Sequence, residues 1–261
     1  MYLYSALGLI VPTAFYVTLK ANQEFGLTDE ALLTKTVQIS RITAIVLIIA
    51  YGFYVWFNMR THHSIYDSIF FKDEHQDKDR HKDLSKRKLT LTECVIALTI
   101  SLGLVSLISV NLVEEIPKIV ENHGVSEIFM GLILVPLVEK FAEHLTAIDE
   151  AYDNTMNLAM AHVLGATIQT ALFNGPLAVI AGWGLGLQMD LNFELFTLVI
   201  VVLSIIVVGN FLRDQKSNYL EGALCVLVYI IIAAGAFYFP NPLHATEHTK
   251  TEGSGTAEGG H

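Results

Sequence analysis

Glu139, Lys140, Glu143 and His144 fall within six residues in the run GLILVPLVEKFAEHLTAIDE, from Gly131 to Glu150. A carboxylate is a hard oxygen ligand suited to Ca²⁺, and burial raises its proton affinity. One buried carboxylate can therefore take a divalent cation or a proton, which is the chemical basis of exchange. Residues three and four apart on a helix share a face, so Lys140, Glu143 and His144 are expected to project together, with Glu139 approaching Glu143. The run is apolar enough to lie in a membrane, where an ionisable group costs roughly 3 kcal/mol at the bilayer centre. Such a group persists when it faces a cavity, binds an ion or finds a partner. The plainer alternative is an ion pair between Lys140 and Glu143 that only holds helices together. Pro136 removes a backbone hydrogen bond upstream and predicts a kink or break. Broken helices near mid-membrane present carbonyls that ligate cations.

The next apolar run carries a polar stripe of His162, Gly165, Thr167, Gln169, Thr170 and Asn174. Gln169 can offer its amide oxygen to a cation, and the glycines and alanines between these positions allow close helix approach. Alone, the stripe reads equally as inter-helix hydrogen bonding. Beside the preceding run it forms the second wall of one site. Asp149, Glu150, Asp153 and Asp190 fall at span ends and are expected at the membrane interface, with an ion-entry vestibule as the alternative.

The elements that position these residues must be membrane helices. Of 261 residues, 52% are hydrophobic and 16% charged, against about 25% charged in soluble domains. The charges crowd into one loop, short connections and the tail. Between them lie runs long enough to cross a hydrocarbon core about 30 Å thick, which takes roughly 20 helical residues. Backbone groups in lipid must be bonded internally, so these runs are helices. Seven spans are expected, at about 2–19, 38–58, 91–115, 127–149, 156–184, 194–212 and 219–239. The chain divides into two helices (1–58), a charged loop (59–90), five further helices (91–240) and a polar tail (241–261) expected to be disordered. The loop itself reads as a solvated linker or a short surface helix. Eight basic residues from Arg60 to Lys88, with Arg213 and Lys216, fall on one side of this path. The positive-inside rule then puts the 59–90 loop in the cytosol. Cys94 and Cys225 lie in apolar spans as packing residues. The net charge of −10 includes no basic patch with interleaved aromatics, so nucleic acid is not an expected partner.

At these same residues the chain resembles the vacuolar-type Ca²⁺/H⁺ exchangers of the calcium/cation antiporter superfamily. That family carries a pattern of the form GLILLPIVGNAAEH, where this chain reads GLILVPLVEKFAEH. Its next helix has GSSTQ and then a PL pair, where this chain reads GATIQTALFNGPL. QISRITAIVLIIAYGFYVWFNMRTH, MDLNF and SNYLEGALCVLVYIIIA extend the resemblance over nearly all of residues 1–240. It implies an all-α, polytopic sodium/calcium-exchanger-like fold, of which this chain matches seven spans. These are the last two helices of the first five-helix repeat and the whole of the second.

The resemblance further implies a transporter rather than an enzyme, set in the lipid bilayer of a vacuole or another endomembrane. Ca²⁺ and H⁺ would be its transported ions, with no other cofactor. Carried over residue by residue, Glu143, His144 and Gln169 form the cation/proton site, with Glu143 and Gln169 as metal ligands. Glu139 and Lys140 stand where the family has Gly-Asn, Phe141 where it has Ala, and Ala166 where it has Ser. Glu139, Lys140 and Thr167 are thus modifiers of the site. The family's first acidic motif has no counterpart here, so a missing N-terminal half or a partner subunit is an expected companion. A non-transporting relative, with Lys140 mimicking a bound cation, is the alternative. A seven-helix receptor fits only the span count.

Overall fold

The structure is a computed structural model and describes residues 2–22, 26, 28–213 and 218–241. The tail beyond Asn241, expected to be disordered, lies outside the described residues. In chain order the helices are α1 (Tyr2–Ala21), α2 (Asp29–Trp56), α3 (His63–Gln76), α4 (Arg80–Ser85), α5 (Leu91–His123) and α6 (Glu127–Phe129). They continue as α7 (Val135–Glu139), α8 (Phe141–Tyr152), α9 (Met156–Gln169), α10 (Gly175–Gly184), α11 (Leu195–Arg213) and α12 (Tyr219–Phe237). Single π turns follow α2, α6 and α9, at Phe57–Thr61, Met130–Leu134 and Thr170–Asn174.

Five stretches are long and apolar enough to cross a membrane: Asp29–Thr61, Leu91–His123, Met156–Gly184, Leu195–Arg213 and Tyr219–Phe237. The chain is thus an all-helical, multi-pass membrane protein. Gly8–Ala21 forms a shorter apolar helix. The span expected at 127–149 is helical but interrupted, running from α6 through a π turn and α7 to α8. Two helices outrun their apolar windows for local reasons. α2 begins at Asp29 rather than 38, because Thr28 caps it and Asp29 and Glu30 sit in its first turn, where negative charge is favourable. α5 continues past 115 to His123, where Gly124 closes it in the left-handed conformation at φ 64°; glycine takes that conformation without steric cost.

The chain forms two compact units: residues 1–84 with 142–217, and residues 85–141 with 218–261. In the first, α2 packs against α1 and α10, and α1 also meets α11. Ala44, Val179 and Leu191 form one buried cluster. Leu47, Ile168 and Leu172 form another, with Leu9, Tyr51 and Tyr54 against it. Gly8 lets α1 approach α2, since a Cβ there would stand 2.6 Å from Leu47 Cδ2. Leu47 is itself buried, so it has little room to retreat. Gly8→Val is therefore expected to destabilise the protein by about 1–3 kcal/mol, read as a lowered midpoint of thermal unfolding in detergent.

Buried hydroxyls secure the connection between α10 and α11. Thr13 Oγ1 donates to the Leu191 carbonyl at 3.3 Å and accepts from the Phe193 amide at 3.0 Å. Ser40 Oγ accepts from the Leu191 amide at 3.0 Å. Inside lipid such backbone groups have no water to turn to.

The charged segment expected to be a solvated linker or surface helix is helical, and part of it is anchored. Asp73 on α3 is buried. Its carboxylate accepts from Asn157 Nδ2 at 2.7 Å and from the Leu158 amide at 3.0 Å. Leu158 lies in the first turn of α9, so Asp73 caps that helix from a different element, satisfying an otherwise orphaned donor. Lys78 Nζ donates to the Tyr152 carbonyl at 2.7 Å. Asp73→Ala should cost about 1–3 kcal/mol by leaving the Leu158 amide unpaired. Thermal unfolding checks this, and Asp73→Asn should recover part of the loss.

In the second unit, α5 and α12 each start with a capping box, Thr90 with Glu93 and Asn218 with Glu221. Such reciprocal bonds satisfy two helix-end donors at once. Asn241 Oδ1 accepts from the Glu127 amide at 2.8 Å, and its Nδ2 donates to the Val125 carbonyl at 3.0 Å. Phe129 meets Phe237 edge-on, with centroids 5.3 Å apart. Cys94 and Cys225 are both free.

Candidate functional site

The two runs singled out in the sequence share a local design. Each has a five-residue π turn, Met130–Leu134 or Thr170–Asn174, with a proline two residues after its end, Pro136 or Pro176. The Val135 amide bonds back to the Met130 carbonyl, and the Gly175 amide to the Thr170 carbonyl. Proline has no N–H, so each turn leaves a carbonyl without its helical donor. π turns of this kind are frequent at functional sites.

The helix breaks at Lys140, four residues after Pro136. Lys140 has φ −92° and ψ 6°, and its amide bonds to the Pro136 and Val138 carbonyls. Lys140 belongs to the turn, and Glu143 and His144 to the first turn of α8. Within its own unit, Lys140 Nζ lies 3.5 Å from Glu139 Oε1. The two departures from the family pattern thus partner each other.

In the other unit, Glu143 is half-buried while His144 and Gln169 are exposed. Gln169 ends α9, immediately before the π turn. Thr167 donates its hydroxyl to the Val163 carbonyl at 2.9 Å, so that hydroxyl is committed to its own helix. Asp190 accepts from the Asn192 amide at 3.2 Å, in the connection that Thr13 and Ser40 hold.

α8 and α9 are joined by a tight turn at Asp153–Thr155. Thr155 closes it, with its hydroxyl and amide bonded to the Glu150 carbonyl at 2.7 and 2.9 Å. Across this turn His162 Nδ1 lies 3.3 Å from Glu150 Oε1. Glu143 lies seven residues before Glu150, and Gln169 seven after His162. Seven helical residues place Glu143 about 10 Å along α8 from Glu150, and Gln169 about 10 Å along α9 from His162. Two turns return a residue to the same face, so Glu143 shares a face of α8 with Glu150, and Gln169 a face of α9 with His162.

This pairing was missed in the sequence, where Glu150 stood as one of several span-end acids. A further acidic group collects beside the turn, with carboxylate oxygens of Asp77, Asp79 and Asp153 within 4.8 Å of one another.

The chain is similar to known transporters over most of its length. It is 33% identical over 240 residues to a Ca²⁺/H⁺ antiporter of Aphanothece halophytica, covering 90% of this chain and 63% of the relative. It is 31% identical over 240 residues to vacuolar cation/proton exchanger 5 of Arabidopsis thaliana, covering 92% and 52%. Among solved structures, native YfkE matches at a TM-score of 0.64 and 25% identity, over 91% of this chain and 63% of that one. The chain thus spans between 52% and 63% of the length of these relatives. The sodium/calcium exchanger protein family matches residues 94–238, more than half of the chain, and the chain belongs to that family.

Proposed function

We propose that this chain works as, or within, a Ca²⁺/H⁺ antiporter of an endomembrane such as the vacuolar membrane. The observation that carries the reading is Glu143. It is a half-buried carboxylate in the first turn after a helix break. The names of the relatives point the same way. Glu143 binds the cation through carboxylate oxygens, and Gln169 adds its amide oxygen. The freed carbonyl of the Thr170–Asn174 turn is a further ligand of the right type. His144 orients Glu143 or exchanges protons with it. Protons leaving an acidic lumen displace the cation from Glu143 and drive Ca²⁺ inward.

His144 and Gln169 are exposed on this chain, and uncovered polar groups are costly in lipid. Their faces are therefore completed by a further segment or a partner subunit. The 59–90 segment shares its membrane side with the 153–155 turn through Lys78 and Asp73, and that side is cytosolic.

The test is Ca²⁺ uptake by proteoliposomes carrying the purified full chain under an imposed pH gradient. Uptake that disappears when a protonophore collapses the gradient supports antiport. Uptake insensitive to the gradient, or no uptake, overturns it.

A further inference from the structure

We infer that Lys78 is a positioning residue for the exchange site: it holds the end of α8 and so fixes where Glu143 stands. The inference rests on the exchange reading and adds to it a residue of the 59–90 segment that touches no transported ion.

α8 and α9 are held by different means. α9 is secured at both ends. At its start the buried Asp73 carboxylate accepts from Asn157 Nδ2 and from the Leu158 amide. At its end Ile168 is buried with Leu47 and Leu172, and the π turn that follows packs on α2. Gln169, the last residue of α9, therefore has a fixed position. The closely packed helices of this unit, among the described residues, are α1, α2, α3, α9, α10 and α11. α8 is not one of them, and most of its residues are exposed.

Within its unit, α8 is placed by bonds at its end. Lys78 Nζ donates to the Tyr152 carbonyl at 2.7 Å and lies 4.8 Å from the centre of the Tyr152 ring. The Lys78 amide donates to the Asp153 carbonyl at 3.2 Å. Asp77 Oδ1 accepts from the Asp79 amide at 3.0 Å, a local turn that bends the chain around Lys78. Thr155 and His162 tie α8 to α9 across the turn, and Lys78 ties α8 to the segment after α3. α3 is itself packed on α9 and bonded to it through Asp73. The three elements thus close into a frame. The charges suit their places: an ammonium meets the C-terminal end of α8, and a carboxylate the N-terminal end of α9, each favourable to the helix dipole.

Tyr152 ends α8, and Glu143 lies nine residues before it, about 14 Å along the helix. A helix held at one end swings as a rod, and the displacement grows with that distance. Ca²⁺ takes oxygen ligands within about 2.3–2.6 Å, so a swing of α8 parts Glu143 from the ligands that α9 supplies. Lys78 limits that swing. It is exposed, and surface substitutions rarely cost much stability, so its loss acts on cation binding rather than on folding.

The experiment is Ca²⁺ uptake by the reconstituted full chain under a fixed pH gradient, measured against Ca²⁺ concentration, with thermal unfolding of each protein alongside. The variants are Lys78→Met, Lys78→Arg, Glu143→Gln and Lys72→Met, the last removing the same charge from an exposed position on α3. Lys78→Met should raise the Ca²⁺ concentration for half-maximal uptake about 3- to 10-fold, with little change in maximal rate and none in the midpoint of unfolding. Lys78→Arg, which keeps a donor, and Lys72→Met should match the parent. A parent-like half-maximal concentration in Lys78→Met, with Glu143→Gln inactive, overturns the positioning role and leaves antiport standing. An equal rise in Lys72→Met assigns the effect to surface charge and also overturns it, as does a rise that comes with a lowered unfolding midpoint and that Lys78→Arg shares. Unchanged uptake in Glu143→Gln, or none by the parent, removes the exchange reading itself, and the role of Lys78 falls with it.

Discussion

Glu143→Gln is expected to lower pH-gradient-driven Ca²⁺ uptake by at least about 100-fold, equivalent to roughly 2.7 kcal/mol of lost cation stabilisation. The substitution keeps the shape of the side chain and its place in the first turn of α8. It removes the negative charge that attracts a divalent cation and the group that takes a proton in exchange. The other acidic residues of α8, Asp149 and Glu150, lie six and seven residues further on. Because Glu143 is half-buried rather than packed in a core, thermal stability should stay near that of the parent. A Ca²⁺ flux trace on matched amounts of folded protein decides the matter. Uptake within a factor of two of the parent would remove Glu143 from the site.

Lys140→Asn, combined with Glu139→Gly, is expected to raise apparent Ca²⁺ affinity roughly tenfold or more. Together the two changes restore the Gly-Asn pair that the resemblance gives at these positions, and they remove an ammonium, a charge that opposes cation binding. Lys140 sits in the turn between α7 and α8 with its amide bonded to the Pro136 and Val138 carbonyls. Asparagine accepts such a turn conformation readily, so the backbone should survive the change. The single Lys140→Asn variant leaves Glu139 without the ammonium 3.5 Å away, which is why the pair is changed together. Isothermal titration of the purified protein with Ca²⁺ reads the affinity. An unchanged affinity would mean that Lys140 does not screen the site. It would also weaken the alternative in which Lys140 turns this chain into a non-transporting relative.

Several features were legible without coordinates because they depend on neighbours in the chain. Apolar run length specifies membrane helices, since an unsatisfied backbone in lipid has no alternative partner. Pro136 announced an interruption, because a missing N–H acts within one turn. Its position was less legible. The break falls at Lys140, after a π turn at Met130–Leu134 has already shifted the helical register.

The charged 59–90 segment shows the opposite limit. Its composition reads as solvated, yet Asp73 is buried against the start of α9. No local pattern marks one aspartate among several as the one that caps a distant helix. The same holds for Thr13 and Ser40, whose hydroxyls hold the Leu191–Phe193 backbone from far away in sequence.

The sequence by itself determined that this is a multi-pass helical membrane protein of the exchanger family, with Glu143, His144 and Gln169 as its site candidates. Hydropathy, proline chemistry and motif spacing act over one or two helical turns, so they survive in a linear reading. The tertiary structure alone decided which polar groups meet: Glu150 with His162 across the 153–155 turn, Asp73 with the first turn of α9, and Glu139 with Lys140 at the break. Those pairings depend on where helices reverse and which atoms lose water there, and burial of a particular oxygen is a property of the packed chain rather than of any residue in it.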